Sequence, residues 1–279
     1  MFDFYEILDR APPKLTVVDV GAAAMQTETD PYHVLSALPN VEVIGFEPNR
    51  DACTRRNAEA RPNHRYYPYF IAGRGRRDFH VCRNPLTSSL YAPNEPVLDK
   101  LQMLNRQLLA ETVLQVETVR LDDIEDLVDC DYLKLDVQGA ELDVLEGAPA
   151  LLGTVSVIHT EAEFVPLYKS QPLFGDIDRK LRDSGFQLHK LVGLRYRAPI
   201  LRQTPAGQIL YVEGAVYVRD FMRFDEMSVT KLINLACILH TVYGSFDHCA
   251  LALASVDRQA GTDLRDRYVR RMNQSGLVT

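Results

Sequence analysis

Apolar runs of strand length alternate with helix-length segments through most of this 279-residue chain. TVVDVG (Thr16 to Gly21) is followed, after a helix-length gap, by VEVIGFEP (Val41 to Pro48). RYYPYFIAG (Arg65 to Gly73) comes next, with RDFHVCR (Arg77 to Arg83) as its expected hairpin extension. YLKLDV (from Tyr132) and VSVIHTEAE (from Val155) are a fourth and a fifth run, and FQLHKLVG and EGAVYVRD frame an excursion containing the turn signal TPAGQ. Strands separated by helical patterns imply βαβ units, hence an α/β fold on a mostly parallel sheet with right-handed crossovers. The last pair of runs, separated by a turn rather than a helix, predicts an antiparallel edge.

The intervening helices have recognisable ends. RDACTRRNAEARP stops at Pro62, and PLFGDIDRKLRDSGF spaces Ile177 and Leu181 four apart before Gly185. From Asp220 the pattern becomes helical throughout. Ser228 is the expected N-cap of VTKLINLACILHTVYG, whose Leu232, Leu235, Ile238, Leu239 and Val242 form a broad apolar face. The expected organisation is a sheet domain over 1–219 and a helical appendage over 220–279. The apolar face of 228–243 is available either to the sheet or to a second subunit, and in the second case these helices would form a homodimer.

Composition narrows the partners. A formal net charge of −7 disfavours a nucleic-acid backbone. The five cysteines form no C-x-x-C pair and no zinc spacing with the seven histidines, as expected of free thiols in a reducing compartment. The acidic N-terminus MFDFYEILDR lacks a signal peptide's basic region, and no apolar stretch is long enough to span a bilayer. A cytoplasmic protein without membrane contact is expected.

In an open parallel sheet, ligands bind beyond the carboxyl ends of the strands. Acids stand at four such ends: Asp19 before Gly21, then Glu47, Asp136, and Glu161 beside His159 and Glu163. Carboxylates brought to one rim repel, and a cationic or polyhydroxyl ligand offsets that repulsion. Glu47, closing the second strand, is placed to take both hydroxyls of a ribose. The loop GAAAMQTETDPYH lacks the closely spaced glycines that a pyrophosphate needs, which disfavours dinucleotides. A phosphate-free nucleoside bearing a sulfonium, S-adenosylmethionine, suits such a rim.

VVDVGA, VIGFEP, TVRLDDI and above all KLDVQGAELDVLEGA together resemble the FkbM family of S-adenosylmethionine-dependent methyltransferases, over roughly residues 14–190. The resemblance implies a Rossmann-like methyltransferase sheet and O-methylation of a carbohydrate-like or natural-product hydroxyl. It also implies a site in which Asp19, Gly21 and Ala22 hold the methionine end of the cofactor. Glu47 and Pro48 take the ribose, Phe70, Ile71 and Ala72 lie near the adenine, and Asp136 stands at the mouth. Two departures stand out: Ala24 and Met25 occupy the region of the family's second loop glycine, and Gln138 replaces the signature's usual Glu. A non-catalytic member that serves assembly is the alternative these departures leave open.

Methyl transfer to an alcohol benefits from a general base. The candidates are Asp136, Glu161, Glu141 and His159, with Glu163 nearby. Strand alternation would put His159, Glu161 and Glu163 on one face. Asp136 and Glu161 are alternatively a pair of hard oxygen ligands for a divalent metal, though none is expected. LTSSLYAP (from Leu86) and EFVPLYKSQPLF (from Glu163) are candidate acceptor walls, each equally readable as plain loop.

Overall fold

A computed structural model describes residues 2–23, 30–101, 107–197, 209–211 and 214–276. The altered first loop, Ala24 onward, and the TPAGQ turn lie outside the described residues.

Seven strands form the central sheet. In chain order they are β1 (Leu15–Val20), β2 (Val41–Phe46), β3 (His64–Tyr67), β7 (Tyr132–Leu135), β8 (Val157–Thr160), β9 (Phe186–Val192) and β12 (Gly214–Arg219). Their spatial order is β3-β2-β1-β7-β8-β12-β9. The first five run parallel, and β12 is antiparallel to both neighbours. β9 therefore points the same way as β8, and the antiparallel strand lies one place in from the edge. This is the doubly wound, Rossmann-like α/β arrangement, with the order reversing between β1 and β7.

The expected third run splits. Its first half is β3, whereas Phe70–Ile71 (β4) belongs to a second sheet with β5 (Gly75–Cys82) and β6 (Ala110–Val119), ordered β4-β6-β5. RDFHVCR accordingly pairs with β6, not with β3, because Pro68 interrupts the run between them. A short ladder, β10 (Arg195–Arg197) with β11 (Ile209–Tyr211), links β9 to β12.

Side-chain alternation gives the sheet two apolar faces. Val18, Val20, Ile44, Leu133, Leu135 and Ile158 pack against α2 (Glu141–Glu146) and α3 (Phe174–Asp183), in one buried cluster. α1 (Arg50–Glu59), capped by Asn49, follows β2. Val17, Val43, Tyr132, Val157 and Val216 face the C-terminal helices α4 (Val229–Thr241), α5 (Phe246–Ala260) and α6 (Leu264–Gln274). Ser228 caps α4 as expected, accepting from Lys231 N–H. Leu232, Leu235, Ile238 and Leu239 are wholly buried within the chain. The face that would have served a dimer is thus already covered, and the helices after 220 share one core with the sheet and with Phe4 near the N-terminus. Lys231 adds an ion pair from α4 to Asp131, at the start of β7 (2.8 Å). Among the described residues, no helix is long and apolar enough to cross a membrane.

Candidate active site

The carboxyl ends of β1, β2, β7 and β8 lie side by side, because parallel pairing aligns them. Asp19 is opposite Lys134, and Lys134 is opposite His159. Asp19 is completely buried. Tyr32 Oη donates to its Oδ2 (2.7 Å), and Lys134 Nζ lies 3.1 Å from its Oδ1. Burial raises the Asp19 carboxyl despite the opposing Lys134 charge. Arg56, 3.9 Å from the same carboxylate, is itself paired with Asp30 (2.9 Å).

Lys134 is the residue that sequence reasoning passed over. Its ammonium also donates to the Gly21 carbonyl (3.0 Å) and lies 3.5 Å from Asp136 Oδ2. One buried cation thus connects the turn after β1 to the acid after β7. Burial alone would lower its affinity for the proton, but Asp19 and Asp136 raise it, so the ammonium stays charged. The rim is therefore not a set of four unopposed acids. The only hint in the sequence was a lone lysine in an apolar run, two residues before an acid.

Gly21 sits at φ +84°, and a Cβ there would lie 1.9 Å from the Asp136 carbonyl oxygen. Only glycine fits this crossing of the β1 and β7 turns. Gly21 and Ala22 N–H groups both donate to Phe46 O (3.0 Å each), which fastens the turn to β2.

Glu47 follows β2 and is 6% exposed. Its Oε1 accepts from Asn49 N–H (2.7 Å), so Pro48 sits inside a tight carboxylate turn that sets Asn49 as the cap of α1. Burial raises the Glu47 carboxyl. Phe46, Tyr67 and Tyr69 form a stacked ladder on this side, with Tyr67 and Tyr69 centroids 5.8 Å apart. Phe70 instead packs edge-on against Phe79 (4.8 Å), and Ile71 and Ala72 are buried.

Past β7, Gln138 takes a left-handed conformation (φ +55°). From there its Nε2 donates to Asp136 Oδ1 and to Glu161 Oε2, each at 2.8 Å. Tyr168 Oη, which donates to the Thr87 carbonyl (2.8 Å), also lies 3.3 Å from Gln138 Oε1, and Ser89 Oγ donates to the Gln138 carbonyl (2.6 Å). Both candidate walls thus reach the same residue: Ser89 comes from LTSSLYAP and Tyr168 from EFVPLYKSQPLF. Burial works to raise Asp136, yet Lys134 and Gln138 outweigh it and hold the acid below its usual range. Burial and the Asp136 charge push Glu161 well above its own. Glu163, pushed up to about 8 by burial and then by Glu141, accepts from Gln171 Nε2 (2.7 Å).

Two of the expected base candidates stand apart from this group. Glu141, at the start of α2, is buried with Oε1 accepting from Val137 N–H (2.9 Å) and Gly139 N–H (3.2 Å). It braces the loop that carries Asp136 and Gln138, and burial pushes it up to about 7. His159 Nδ1 bonds Tyr243 Oη (3.1 Å) in the helical layer, and its ring packs on Gly214, where a Cβ would lie 2.1 Å from Nε2. Burial and Lys134 lower His159 to about 4. Its partner lies in the helical layer, whereas Glu161, beyond the end of β8, bonds Gln138, so the expectation of one shared face for 159, 161 and 163 does not describe their contacts. Among the described residues, no three of His, Cys, Asp or Glu gather as ligands for a metal ion.

The 2-O-methyltransferase NoeI of Sinorhizobium fredii (strain NBRC 101917 / NGR234) is 29% identical over 180 residues, which are 60% of this chain and 71% of NoeI. Among solved structures, the N-terminal domain of EvdMO1 with SAH bound aligns at 10% identity and a TM-score of 0.35, covering 77% of each chain. A SAM-dependent methyltransferase from Aquifex aeolicus aligns at 12% identity and a TM-score of 0.34, covering 78% of this chain and 90% of that one. The model of the methyltransferase FkbM domain matches residues 19–188, from the buried aspartate of β1 into β9 and over more than half of the sequence. The chain belongs to the FkbM methyltransferase family.

Proposed function

We propose that this protein transfers the methyl group of S-adenosylmethionine to a hydroxyl of a small carbohydrate-like or natural-product acceptor. The observation that carries this reading is the meeting, at adjacent strand ends, of the Gly21 turn, Glu47 and the Asp136–Gln138–Glu161 group, with Lys134 between them. The donor set fits the cofactor. Glu47 has one oxygen engaged by Asn49 N–H, which leaves the other for a ribose diol. No phosphate-binding glycine pattern follows β1, and the charge at the rim suits a cation.

When bound, the cofactor supplies a methyl group on a sulfonium. The chain's own residues hold it and manage a proton. Asp19 and Gly21, joined through Lys134, fix the turn at the methionine end. Glu47 receives ribose hydroxyls. Asp136, ionised and 30% exposed at its side chain, would accept a hydrogen bond from the acceptor hydroxyl and take its proton, while the methyl carbon's bond to sulfur gave way to the bond to oxygen and the cofactor left as the neutral thioether. Glu161, held well above its usual range by burial and then by the Asp136 charge, stands beside Asp136 with its uncharged form favoured. Similarity to NoeI, a 2-O-methyltransferase, supports an oxygen acceptor.

Isothermal calorimetry with S-adenosylmethionine and S-adenosylhomocysteine tests the cofactor. Binding of both is expected, and loss of the charged Glu47 hydrogen bonds in Glu47→Ala should weaken each about 10- to 100-fold. Absence of heat with either nucleoside at millimolar concentration would sink the proposal. Mass spectrometry of a panel of hydroxylated acceptors incubated with enzyme and cofactor then tests for O-methyl products.

A further inference from the structure

β5 and β6 form a two-stranded ribbon in which β5 is tied to the body through Arg77–Asp143 (3.1 Å) and Phe79 on Phe70 (4.8 Å), while β6 lies on its outer side. β6 is exposed on both faces over 111–115, with Val113 at 51% and Leu114 at 47%. β6 has β5 along one side for almost its whole length, but β4 on the other only at Thr118 and Val119. Ala72 N–H donates to Val119 O, so Val119 turns its backbone groups toward the β4 side. Backbone direction alternates along a strand, so Glu117, Gln115 and Val113 turn theirs to the same side. Among the described residues nothing pairs with them there. A long open edge with uncharged residues at its centre is a template for another strand.

We propose that the occupant is the same strand of a second copy of this chain, running antiparallel about a two-fold axis through Val113. The sequence selects that centre. With the axis at Val113, Val113 faces its own copy, Thr112 faces Leu114, and Glu111 faces Gln115, so no like charges meet. An axis at Leu114 would set Glu111 against Glu117. An axis at Gln115 would run residues 111–112 into the partner's β4, which lies against 118–119. The remaining acids are balanced within each protomer, Glu111 by Arg83 (3.1 Å) and Glu117 by Arg76 (3.8 Å). The interface is isologous and closes as a dimer, joining two ribbons into one four-stranded sheet. It lies away from the C-terminal helices.

Analytical ultracentrifugation of the full chain tests this. The wild type should sediment as a dimer that dissociates on dilution. Val113→Pro removes one amide on the open edge and none that faces β5, so it should weaken association at least tenfold and leave the far-UV circular dichroism unchanged. Should that variant fail to fold, Val113→Cys decides. Facing residues in such a ladder have Cα atoms about 5.5 Å apart, within disulfide range. Mild oxidation should then give a covalent dimer, whereas Val128→Cys, on an exposed loop (79%), should not. A wild type that stays monomeric at every concentration, a dimer that survives a folded Val113→Pro variant, or no crosslink from Val113→Cys would each overturn the proposal.

Discussion

Replacing Lys134 by methionine removes the cation that lies 3.1 Å from Asp19, nearest to it among the described residues, and keeps the side chain's length. The cost can be worked from the contacts. Asp19 is fully buried and retains the Tyr32 hydroxyl (2.7 Å) and, more distantly, Arg56 (3.9 Å). The Gly21 carbonyl loses its donor, and Asp136, reached by solvent, loses least. Breaking a buried ion pair from one side costs about 3–5 kcal/mol, and the surviving Arg56 and Tyr32 contacts place this case near 3. For a chain of this size that lowers Tm by roughly 6–12 °C. The deficit should depend on pH. Without Lys134 the folded-state pKa of Asp19 rises further above its unfolded value, so stability falls as pH climbs through that interval. The variant should therefore lag the wild type more at pH 8 than at pH 5. Asp19→Asn in the Lys134→Met background removes the stranded charge and should recover at least about 1 kcal/mol. Urea denaturation of the wild type, Lys134→Met, Asp19→Asn and the double variant gives the cycle. A Lys134→Met cost under about 1 kcal/mol, or a double variant no better than the single one, would refute the idea that this lysine neutralises the buried acid.

Two further outcomes follow from the same contacts. Glu47→Ala should weaken both nucleosides about 10- to 100-fold in calorimetry, with Tm in the absence of ligand little changed, because its one internal partner is the neighbouring Asn49 amide. Glu141, held up at about 7 against a usual 4.5, binds its proton more tightly in the fold, so wild-type stability should fall as pH rises through that range. Glu141→Gln keeps an acceptor for the Val137 and Gly139 amides without the charge. Its stability relative to wild type should therefore improve by up to about 3 kcal/mol between pH 5 and pH 8 in urea titrations.

The parallel sheet was legible because its strands are buried on both faces and read as continuous apolar runs ended by acids and glycine. β6 was not. AETVLQVETV is largely exposed and lies well over twenty residues from its partner β5, with neither a tight turn nor an apolar run to announce it. The strand-end acids were legible one by one, but the balance among them was not. It depends on register between β1 and β7, which brings Asp19 opposite Lys134 across 115 positions of sequence. The apolar face of α4 was equally visible, yet sequence cannot say what covers it. Buried Asn234 and His240 supply the answer only in three dimensions, through Lys14 O (2.8 Å) and Phe2 O (3.1 Å) at the N-terminal end of the chain.

Gln138 shows how a departure from the family pattern can be read as chemistry. In the usual signature an acid stands here, and in this chain it would be a third carboxylate between two others. The amide nitrogen instead donates to Asp136 and Glu161 together, at 2.8 Å each, while the Tyr168 hydroxyl lies 3.3 Å from the amide oxygen. One neutral side chain thus bridges an acid held below its usual range and one held well above it. Gln138→Glu would turn both donated bonds into acid–acid contacts, relieved only where a proton is shared. Bonds to charged groups contribute about 1.5–3 kcal/mol each, so losing the one to Asp136 and straining the other should cost about 2–3 kcal/mol at pH 8. At pH 5 the deficit should shrink, since the added acid, like Glu161, can then keep a proton. Urea denaturation of Gln138→Glu at the two pH values measures this directly. Equal stability of variant and wild type at pH 8 would mean that the bridge does not form, and that Asp136 is held in its ionised state by Lys134 alone.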